Sequence, residues 1–255
     1  MQILDFFKNG ILPKECVLCR AKTTKPLLSR DNLSKYLCTD CIIELLIESK
    51  IKHFHFIALG DRQQKDKSFY IWEYSNSSRL IKMYKYEKNY FLAKIFSEFI
   101  FYSLRNYTIL SDHCSNHLNI NPTHSNNYNA YWDILCSVPS TKNSIRAKRF
   151  NHISMLSKEI SKKIKVNYAP DVLVNNEKRK VKRKNQSLLN SKQREKNVLN
   201  AFQAKNCKGK RIILFDDICS TKHTIAQAYK ALYSAGAKSI DILVLANNEL
   251  SNNSA

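Results

Sequence analysis

The sequence predicts an α/β fold in which a parallel sheet is flanked by helices, with a small cysteine-marked unit at the N-terminus. From residue 211 the chain alternates between an apolar strand (211–215), a helix (224–235) ended by Gly236, and the strand "IDILVLA". Continuous apolar strands joined by helices are typical of a parallel sheet covered on both faces. Two close pairs of cysteines mark the N-terminal unit.

The cysteine pairs predict a structural zinc ribbon over residues 1–50, ahead of a second domain over 51–255. In a zinc ribbon each Cys-x2-Cys pair sits on a tight turn, and four thiolates surround the metal as a tetrahedron. A closed site of this kind leaves no open position for chemistry, so Zn²⁺ would hold structure only. Four unrelated buried cysteines are the alternative. The predicted zinc ligands are Cys16, Cys19, Cys38 and Cys41.

The first part of the second domain predicts two strands followed by two helices. "HFHFIALG" and "SFYIWEY" flank a polar turn, which favours a pair of strands. Ser77 or Ser78 is the expected cap of a helix over "RLIKMYKYEK", and "FLAKIFSEFIFYSL" predicts the next helix. Residues 106–130 are rich in Asn, His and Ser, which indicates an exposed insertion.

The central part of the domain predicts a strand, a basic loop and an amphipathic helix. "YWDILCSVP" is an apolar run that stops at Pro139, and a basic loop follows it. Asn151 is the expected cap of the next helix. "APDVLV" predicts a further short strand, and the segment after it is polar and strongly basic. Helical spacing puts four apolar residues of the predicted helix on one face: Ile153, Leu156, Ile160 and Ile164.

The charge of the chain indicates polyanionic partners. Forty-two Lys and Arg residues against 21 Asp and Glu leave a net charge of +21. Nucleic acid, anionic lipid and phosphorylated ligands are the classes that such a surface attracts, although a composition that simply favours Lys, Asn and Ile is the alternative. The apolar stretches are too short to span a bilayer, and the N-terminus lacks the pattern of a cleaved signal. The cysteine usage fits a reducing compartment, so a cytoplasmic location is expected.

The stretch "RIILFDDICSTKHT" (211–224) is the strongest candidate for a ligand site. Asp216 and Asp217 stand where a buried parallel strand emerges, which is where open α/β sheets bind ligands. If the backbone leaves strand geometry there, both carboxylates can reach vicinal hydroxyls of a ribose. Free N–H groups and hydroxyls at the start of the next helix suit a phosphate. Helix capping alone, by Asp217 and Ser220, is the alternative. The predicted phosphate-binding residues are Ser220, Thr221, Lys222, His223 and Thr224.

This loop resembles the phosphoribosyl pyrophosphate (PRPP) loop of type I phosphoribosyltransferases. Together with the cysteine quartet it makes the chain similar to the ComF family, the DNA-uptake proteins of naturally competent bacteria. The resemblance extends over most of the chain and leaves out chiefly 106–130. It implies a type I phosphoribosyltransferase-like parallel sheet behind the zinc ribbon. The other matching segments are "RLIKMYKYEKNYFLAKIF" (79–96), "SVPSTKNSIRAKRFNHISMLSKEI" (137–160) and "NQSLLNSKQREKNVLNAF" (185–202).

The resemblance also implies ligands and partners. It places a pyrophosphate loop at Ser140, Thr141 and Lys142 and a flexible basic hood at 178–200. It implies PRPP or another phosphorylated ligand, with Mg²⁺ as the ion that would accompany PRPP. It further implies single-stranded DNA and a DNA-translocating helicase as partners in the bacterial cytoplasm. Cations along a groove suit the backbone of single-stranded DNA, and aromatic rings suit its bases. The expected DNA contacts are Lys142, Arg146, Lys148, Arg149, Lys182, Arg183 and Lys184; possible stacking rings are Tyr128, Tyr131, Trp132 and Phe150, the last two expected in the core.

Two positions depart from the transferase pattern. Family loops have glycine where this chain has Lys222, and a lysine would cost on the order of 1 kcal/mol if a left-handed backbone were kept there. Ser220 stands where transferases often have an acidic residue, and a serine is no equivalent base at neutral pH. The leading hypothesis is therefore a ComF-like protein that handles single-stranded DNA and has a PRPP-type site. A Mg²⁺-dependent phosphoribosyltransferase with an unknown acceptor, or a scaffold with a vestigial site, is the alternative, and no catalytic residue is assigned.

Overall fold

The fold is a six-stranded sheet with helices on both faces, seen in a computed structural model. The structure describes residues 15–16, 18–22, 37–53, 66–87, 89–112, 128, 131–176, 201–220 and 222–248. Their strands are β1 (Lys52–His53), β2 (Ser68–Glu73), β3 (Ile134–Ser137), β4 (Asn167–Tyr168), β5 (Leu173–Asn175), β6 (Phe202–Ala204), β7 (Arg211–Cys219) and β8 (Ser239–Asn247). Their helices are α1 (Thr39–Glu48), α2 (Tyr74–Tyr86), α3 (Leu92–Asp112), α4 (Lys142–Lys148), α5 (His152–Ile164) and α6 (Lys222–Ser234).

The sheet has the order β1-β2-β8-β7-β3-β4. Every neighbouring pair is parallel except β1 and β2, which are antiparallel. This confirms the predicted α/β class with a mostly parallel sheet. Strands β5 and β6 form a separate antiparallel ribbon, and β6 was not expected from the sequence.

A hydrophobic layer lies on each side of the sheet. One layer packs β2, β7 and β8 against α2, α3 and α5, and its centre is Trp72, whose ring meets Phe96 and Phe99 edge-on at 5.9 and 5.3 Å. The other layer packs α6 against the opposite face through Ile225, Ala228 and Leu232. Each large apolar side chain buried in this way stabilises the fold by about 1.5–3 kcal/mol. The two covered faces explain why the strands read as continuous apolar runs.

The helix predicted after Asn151 is confirmed in detail. Helix α5 begins at His152, and the Asn151 side chain accepts a hydrogen bond from the backbone N–H of Ser154 at 3.1 Å. That bond satisfies one of the N–H groups left free at a helix start. The four apolar residues expected on one face are all buried: Ile153, Leu156, Ile160 and Ile164.

Several boundaries differ from those predicted. Helix α2 begins at Tyr74, so Ser77 is an interior residue whose buried hydroxyl donates to the Glu73 carbonyl. Helix α3 continues to Asp112, into the segment expected to be an insertion, while 113–127 lies outside the described residues. Strand β7 runs to Cys219 rather than ending at 215, because β8 continues to pair with it as far as Asn247.

The described part of the N-terminal unit packs into the same core as the sheet. Leu45 of α1 is buried beside Trp72, whose indole N–H donates to the Leu45 carbonyl at 3.4 Å. The Ser103 hydroxyl of α3 donates to the Ser49 carbonyl at 2.8 Å. The described residues before and after position 50 thus share one hydrophobic core. A domain boundary at residue 50 stays a prediction. Within the part of the chain that the structure describes, no helix combines the length and apolar character needed to cross a membrane.

Candidate functional site

The connections of the sheet change direction between β3 and β7, and we call the carboxyl-end edge at this point the crevice. The chain leaves β3 toward β4 on one side, whereas it leaves β7 toward β8 on the other. In an open α/β sheet, ligands bind at the carboxyl ends of the two strands that flank such a switch point. The loop after β3 meets β7 directly here, since the Val138 N–H donates to the Phe215 carbonyl at 2.9 Å. The next residues on β7 are the two aspartates.

The structure separates the two carboxylates. Asp217 is buried, and its Oδ2 lies 2.7 Å from Lys85 Nζ and 2.9 Å from His152 Nε2. Asp216 is partly exposed, and its Oδ1 accepts a hydrogen bond from the Asp217 N–H at 2.9 Å. Both residues lie within regular strand β7 rather than beyond its end. Asp216 is therefore the member of the pair placed to meet a ligand, and Asp217 is held in an ion-pair cluster.

The environment drives the pKa values of the two aspartates apart. Burial opposes ionisation of Asp217, but the hydrogen bond from His152 and the charge of Lys85 hold its pKa below the usual range. Burial and the negative charge of Asp217 raise the pKa of Asp216. Two adjacent carboxyls in a poorly solvated site cannot both ionise easily. The pair consequently carries one firm negative charge, on Asp217.

Lys148 joins the same cluster. Its Nζ lies 3.3 Å from His152 Nε2, and burial together with the charge of Lys85 lowers its pKa. We refer to Lys85, Lys148, His152, Asp216 and Asp217 as the carboxyl-end cluster. Three cation-capable side chains thus lie around the Asp217 carboxyl, and the charges of Lys85 and Lys148 also act on Asp216.

Neighbouring elements hold Lys85 and His152 in place. Lys85 lies in the last turn of α2, and His152 is the first residue of α5. The Tyr84 hydroxyl donates to the His152 carbonyl at 2.6 Å, and the Tyr84 ring packs edge-on against Phe150. These contacts tie the two helix ends to each other next to β7.

Sequence reasoning missed Lys85 and His152 as site residues. Both fall inside segments that resemble the ComF family, but no local motif distinguishes them. One feature of the sequence could have indicated Lys85. It lies four residues after Ile81, and this spacing puts it on the apolar face of its helix. A charge on a buried face calls for a partner. His152 had no such signal, because its partner comes from a strand far along the chain.

The segment predicted to bind phosphate forms the exposed start of α6. Ser220, His223 and Thr224 are exposed, whereas Thr221 lies outside the described residues. Lys222 is the first residue of α6, so its backbone is helical rather than left-handed. The strain expected for a lysine at a left-handed position is therefore absent. His223 contacts Gln227 one turn further along the helix.

The predicted pyrophosphate loop is a short helix with a cap. The Thr141 hydroxyl accepts from the Ser144 N–H at 3.1 Å, and residues that were expected to form a basic loop make up α4. The carbonyls of Pro139 and Ser140 accept from the Asn175 side chain at 3.4 and 3.0 Å. The β5–β6 ribbon is thereby attached to this edge of the crevice.

The expected DNA-contacting cations fall into three groups. Lys142, Arg146 and Arg149 are exposed on or beside α4, whereas Lys148 points into the carboxyl-end cluster. Residues 177–200, with Lys182, Arg183 and Lys184, lie outside the described residues.

Two of the expected stacking rings are not accessible. Tyr128 is buried, so its interpretation as a stacking platform is wrong. Trp132 is buried as expected, and its indole N–H donates to Asp241 Oδ2 at 2.7 Å. Phe150 packs against Tyr84 and Tyr90, in keeping with its expected core position.

The four N-terminal cysteines form a candidate metal centre. The sulfur atoms of Cys16, Cys19, Cys38 and Cys41 all lie within 4.8 Å of one another. A Zn²⁺ ion with Zn–S bonds of about 2.3 Å holds its four sulfurs roughly 3.8 Å apart, so the quartet fits zinc. Backbone hydrogen bonds, acting against burial, lower the pKa of Cys16 to about 7, which favours the thiolate that a metal needs.

The second cysteine pair sits on a helix rather than on a second turn. Cys16 and Cys19 flank a turn closed by the Arg20 N–H, which donates to the Cys16 carbonyl at 2.9 Å, and Arg20 has a φ of 63°. Cys38 is the N-cap of α1, and Cys41 lies in its first turn. Burial raises the pKa values of Cys38 and Cys41, so the partial positive charge at the start of α1 does not by itself make them thiolates, and a bound metal would have to favour that form.

The carboxyl-end cluster does not fit a Mg²⁺ ion. A protein holds Mg²⁺ through one or two accessible carboxylates, and waters and substrate phosphates complete its coordination. Oδ2 of Asp217 is already contacted by the Lys85 ammonium and by His152 Nε2. Burial and the neighbouring carboxylate raise the pKa of Asp216, which weakens it as a ligand.

Comparisons with known proteins find similarity to solved structures over less than half of this chain. No protein-family model matches the chain, and no curated protein matches it. The glutamine phosphoribosylpyrophosphate (PRPP) amidotransferase from B. subtilis, complexed with ADP and GMP, is similar over 44% of this chain at 18% identity, with a TM-score of 0.31. A structure of the allosteric regulatory enzyme of purine biosynthesis gives the same values. The chain spans 22% of the length of each, so the fold description rests on the sheet itself.

Proposed function

We propose that the crevice between β3 and β7 binds a phosphorylated ribose of the PRPP type. The observation that carries this proposal is the position of Asp216, partly exposed at the switch point between the loop after β3 and the start of α6. A carboxyl group there suits ribose hydroxyls. The first N–H groups of a helix and the hydroxyls of Ser220 and Thr224 suit a 5′-phosphate.

The remaining part of the ligand would lie toward α4. Ser140, Thr141 and Lys142 border the crevice on the β3 side and suit a diphosphate, in the place that the ComF resemblance gives to the pyrophosphate loop. Hydroxyl groups and a lysine ammonium are suitable donors for phosphate oxygens.

Calorimetric titration with PRPP tests this proposal. We expect wild-type protein to bind PRPP and Asp216→Asn to bind at least about tenfold more weakly, a loss of about 1.4 kcal/mol. Asp171→Asn, an exposed aspartate on a loop, is the matched control and should bind as the wild type does. Equal binding by Asp216→Asn and wild type would remove the assignment.

We further propose a ComF-like role in which this site belongs to a protein that handles single-stranded DNA during natural transformation. The exposed cations Lys142, Arg146 and Arg149 beside the crevice, and the net charge of +21, support it. A DNA-translocating helicase as partner and a location in the bacterial cytoplasm belong to the same proposal.

Salt dependence of DNA binding tests that role. If about five phosphates are neutralised, log K should fall with log salt at a slope near about −3.5. Arg146→Glu combined with Arg149→Glu should weaken binding, whereas Lys94→Glu combined with Lys158→Glu, the same change of charge on exposed residues of α3 and α5, should not. A flat salt response, or equal losses in both variants, would contradict DNA binding at α4.

A phosphoribosyltransferase is the second candidate, and the raised pKa of Asp216 favours it. A carboxyl that titrates closer to neutral pH is suited to accept a proton from an acceptor group. Ser220 in place of an acidic residue weighs against it. Release of pyrophosphate from PRPP, assayed with candidate acceptor bases and Mg²⁺, separates transfer from binding alone.

A further inference from the structure

The carboxyl-end cluster carries its own positive charge. Lys85 Nζ and His152 Nε2 approach the same oxygen of Asp217 at 2.7 and 2.9 Å, and Lys148 Nζ lies 3.3 Å from that histidine nitrogen. The side chains of Lys85, His152 and Asp217 are 11%, 4% and 9% exposed, so bulk water screens them little. Around the buried carboxylate of Asp217, the cluster therefore gathers two lysines and one histidine.

This arrangement opposes a divalent cation and favours an anion. A Mg²⁺ ion that approached Asp217 would have to displace the Lys85 ammonium and the His152 ring nitrogen from the carboxylate and then lie beside them. The charges of Lys85 and Lys148 act on Asp216, so a polyanionic ligand at Asp216 would be attracted by the same two charges. The two lysine charges would therefore offset the repulsion between the ligand's phosphates and the protein's carboxylates, which is the role of a divalent cation in other sites.

We infer that this site binds its phosphorylated ribose without a divalent cation, because Lys85 and Lys148 supply the positive charge. The inference rests on the proposed function, since it concerns the same ligand in the same crevice. The ligand would then be the polyanion without a bound metal ion. Lys85 would be a positioning residue, because it holds Asp217 and adds its positive charge to the site.

The test compares PRPP binding with and without Mg²⁺ in the full chain. Calorimetry is run in buffer freed of divalent ions on a chelating resin, and then in the same buffer with excess Mg²⁺; the zinc content of the protein is measured in both. We expect the two dissociation constants to agree within about threefold. Binding that requires Mg²⁺ would overturn the inference alone, whereas absence of binding in both buffers would overturn the proposed function as well.

Charge removal provides the second arm. Lys85→Met combined with Lys148→Met should weaken Mg²⁺-free binding by at least about tenfold, and added Mg²⁺ should restore most of it, because Asp217 then lacks its lysine partner. Lys82→Met combined with Lys94→Met removes two exposed lysines from α2 and α3 and should change neither value. Mg²⁺-free binding that is unchanged in the Lys85 and Lys148 variant would overturn the inference.

A measurement on the wild type keeps the inference testable if that variant does not fold. Mn²⁺ is titrated into zinc-loaded protein without PRPP and followed by electron paramagnetic resonance. We expect wild-type protein and Asp217→Asn to bind Mn²⁺ equally, because Asp217 does not hold the ion. A site lost in that variant would show that the carboxyl accepts a divalent cation, and it would overturn the inference.

Discussion

At the scale of single residues, Lys85 is the partner that makes the buried charge of Asp217 tolerable. Breaking a buried ion pair by removing one member leaves an uncompensated charge. We expect Lys85→Met to lower the free energy of unfolding by about 2–4 kcal/mol, since His152 still contacts the carboxylate. Urea denaturation measures this loss, with Lys82→Met on the same helix as the control. A loss as small as that of the control would show that the pair contributes nothing to the fold.

We expect the Asp216 carboxyl, which we propose as a ligand contact, to lower the free energy of unfolding at neutral and higher pH. Burial and Asp217 raise the pKa of Asp216 in the folded state, so the folded chain holds this proton more tightly than the unfolded chain does. The contribution of Asp216 to stability therefore falls as the pH rises from the ordinary carboxyl pKa through the raised one. Asp216→Asn removes that dependence.

We expect Asp216→Asn to be more stable than wild type at pH 8 by at least about 1 kcal/mol, and close to wild type at pH 4. Urea denaturation across this pH range measures the difference. Asp171→Asn, at an exposed position, should show no pH-dependent gain. A constant difference between Asp216→Asn and wild type at all pH values would contradict the raised pKa.

At the scale of elements, the cap of α5 positions the site histidine. Asn151 accepts the Ser154 N–H immediately before His152. We expect Asn151→Ala to reduce the free energy of unfolding by about 1 kcal/mol, and Asn151→Asp, which can still cap, to lose far less. Chemical denaturation of the three proteins tests this order. Equal losses in both variants would indicate that the cap bond does not stabilise α5.

Some of the strands and helices could be predicted from the sequence, and others could not. Strands β3, β7 and β8 were predictable because both faces of the sheet are covered, so that each reads as an apolar run between polar segments. Helix α5 was predictable because its cap and its apolar spacing agree. The extra length of β7 was not, since it depends on hydrogen bonds to β8 that no local pattern encodes. The partners of Asp217 come from two helices distant in sequence, and only the assembled sheet brings them together.

At the scale of the whole molecule, the cysteine quartet stabilises more than its own segment. It lies at the start of α1, and Leu45 of that helix packs beside Trp72 in the core. We expect Cys38→Ser to lose bound zinc and to lower the melting temperature, because a structural zinc site contributes directly to folding. Elemental analysis and calorimetry measure both effects, and Cys207→Ser, outside the quartet, should keep its zinc. Loss of zinc with an unchanged melting temperature would contradict a structural role.

The proposed function depends on a phosphorylated ribose in the crevice between β3 and β7. A crystal structure of the chain soaked with PRPP tests this most directly. We predict density for the 5′-phosphate at the start of α6, beside Ser220 and Thr224, with a ribose hydroxyl at Asp216 and without a metal ion on Asp217. Ligand density elsewhere on the molecule, or an empty crevice at saturating PRPP, would contradict the account.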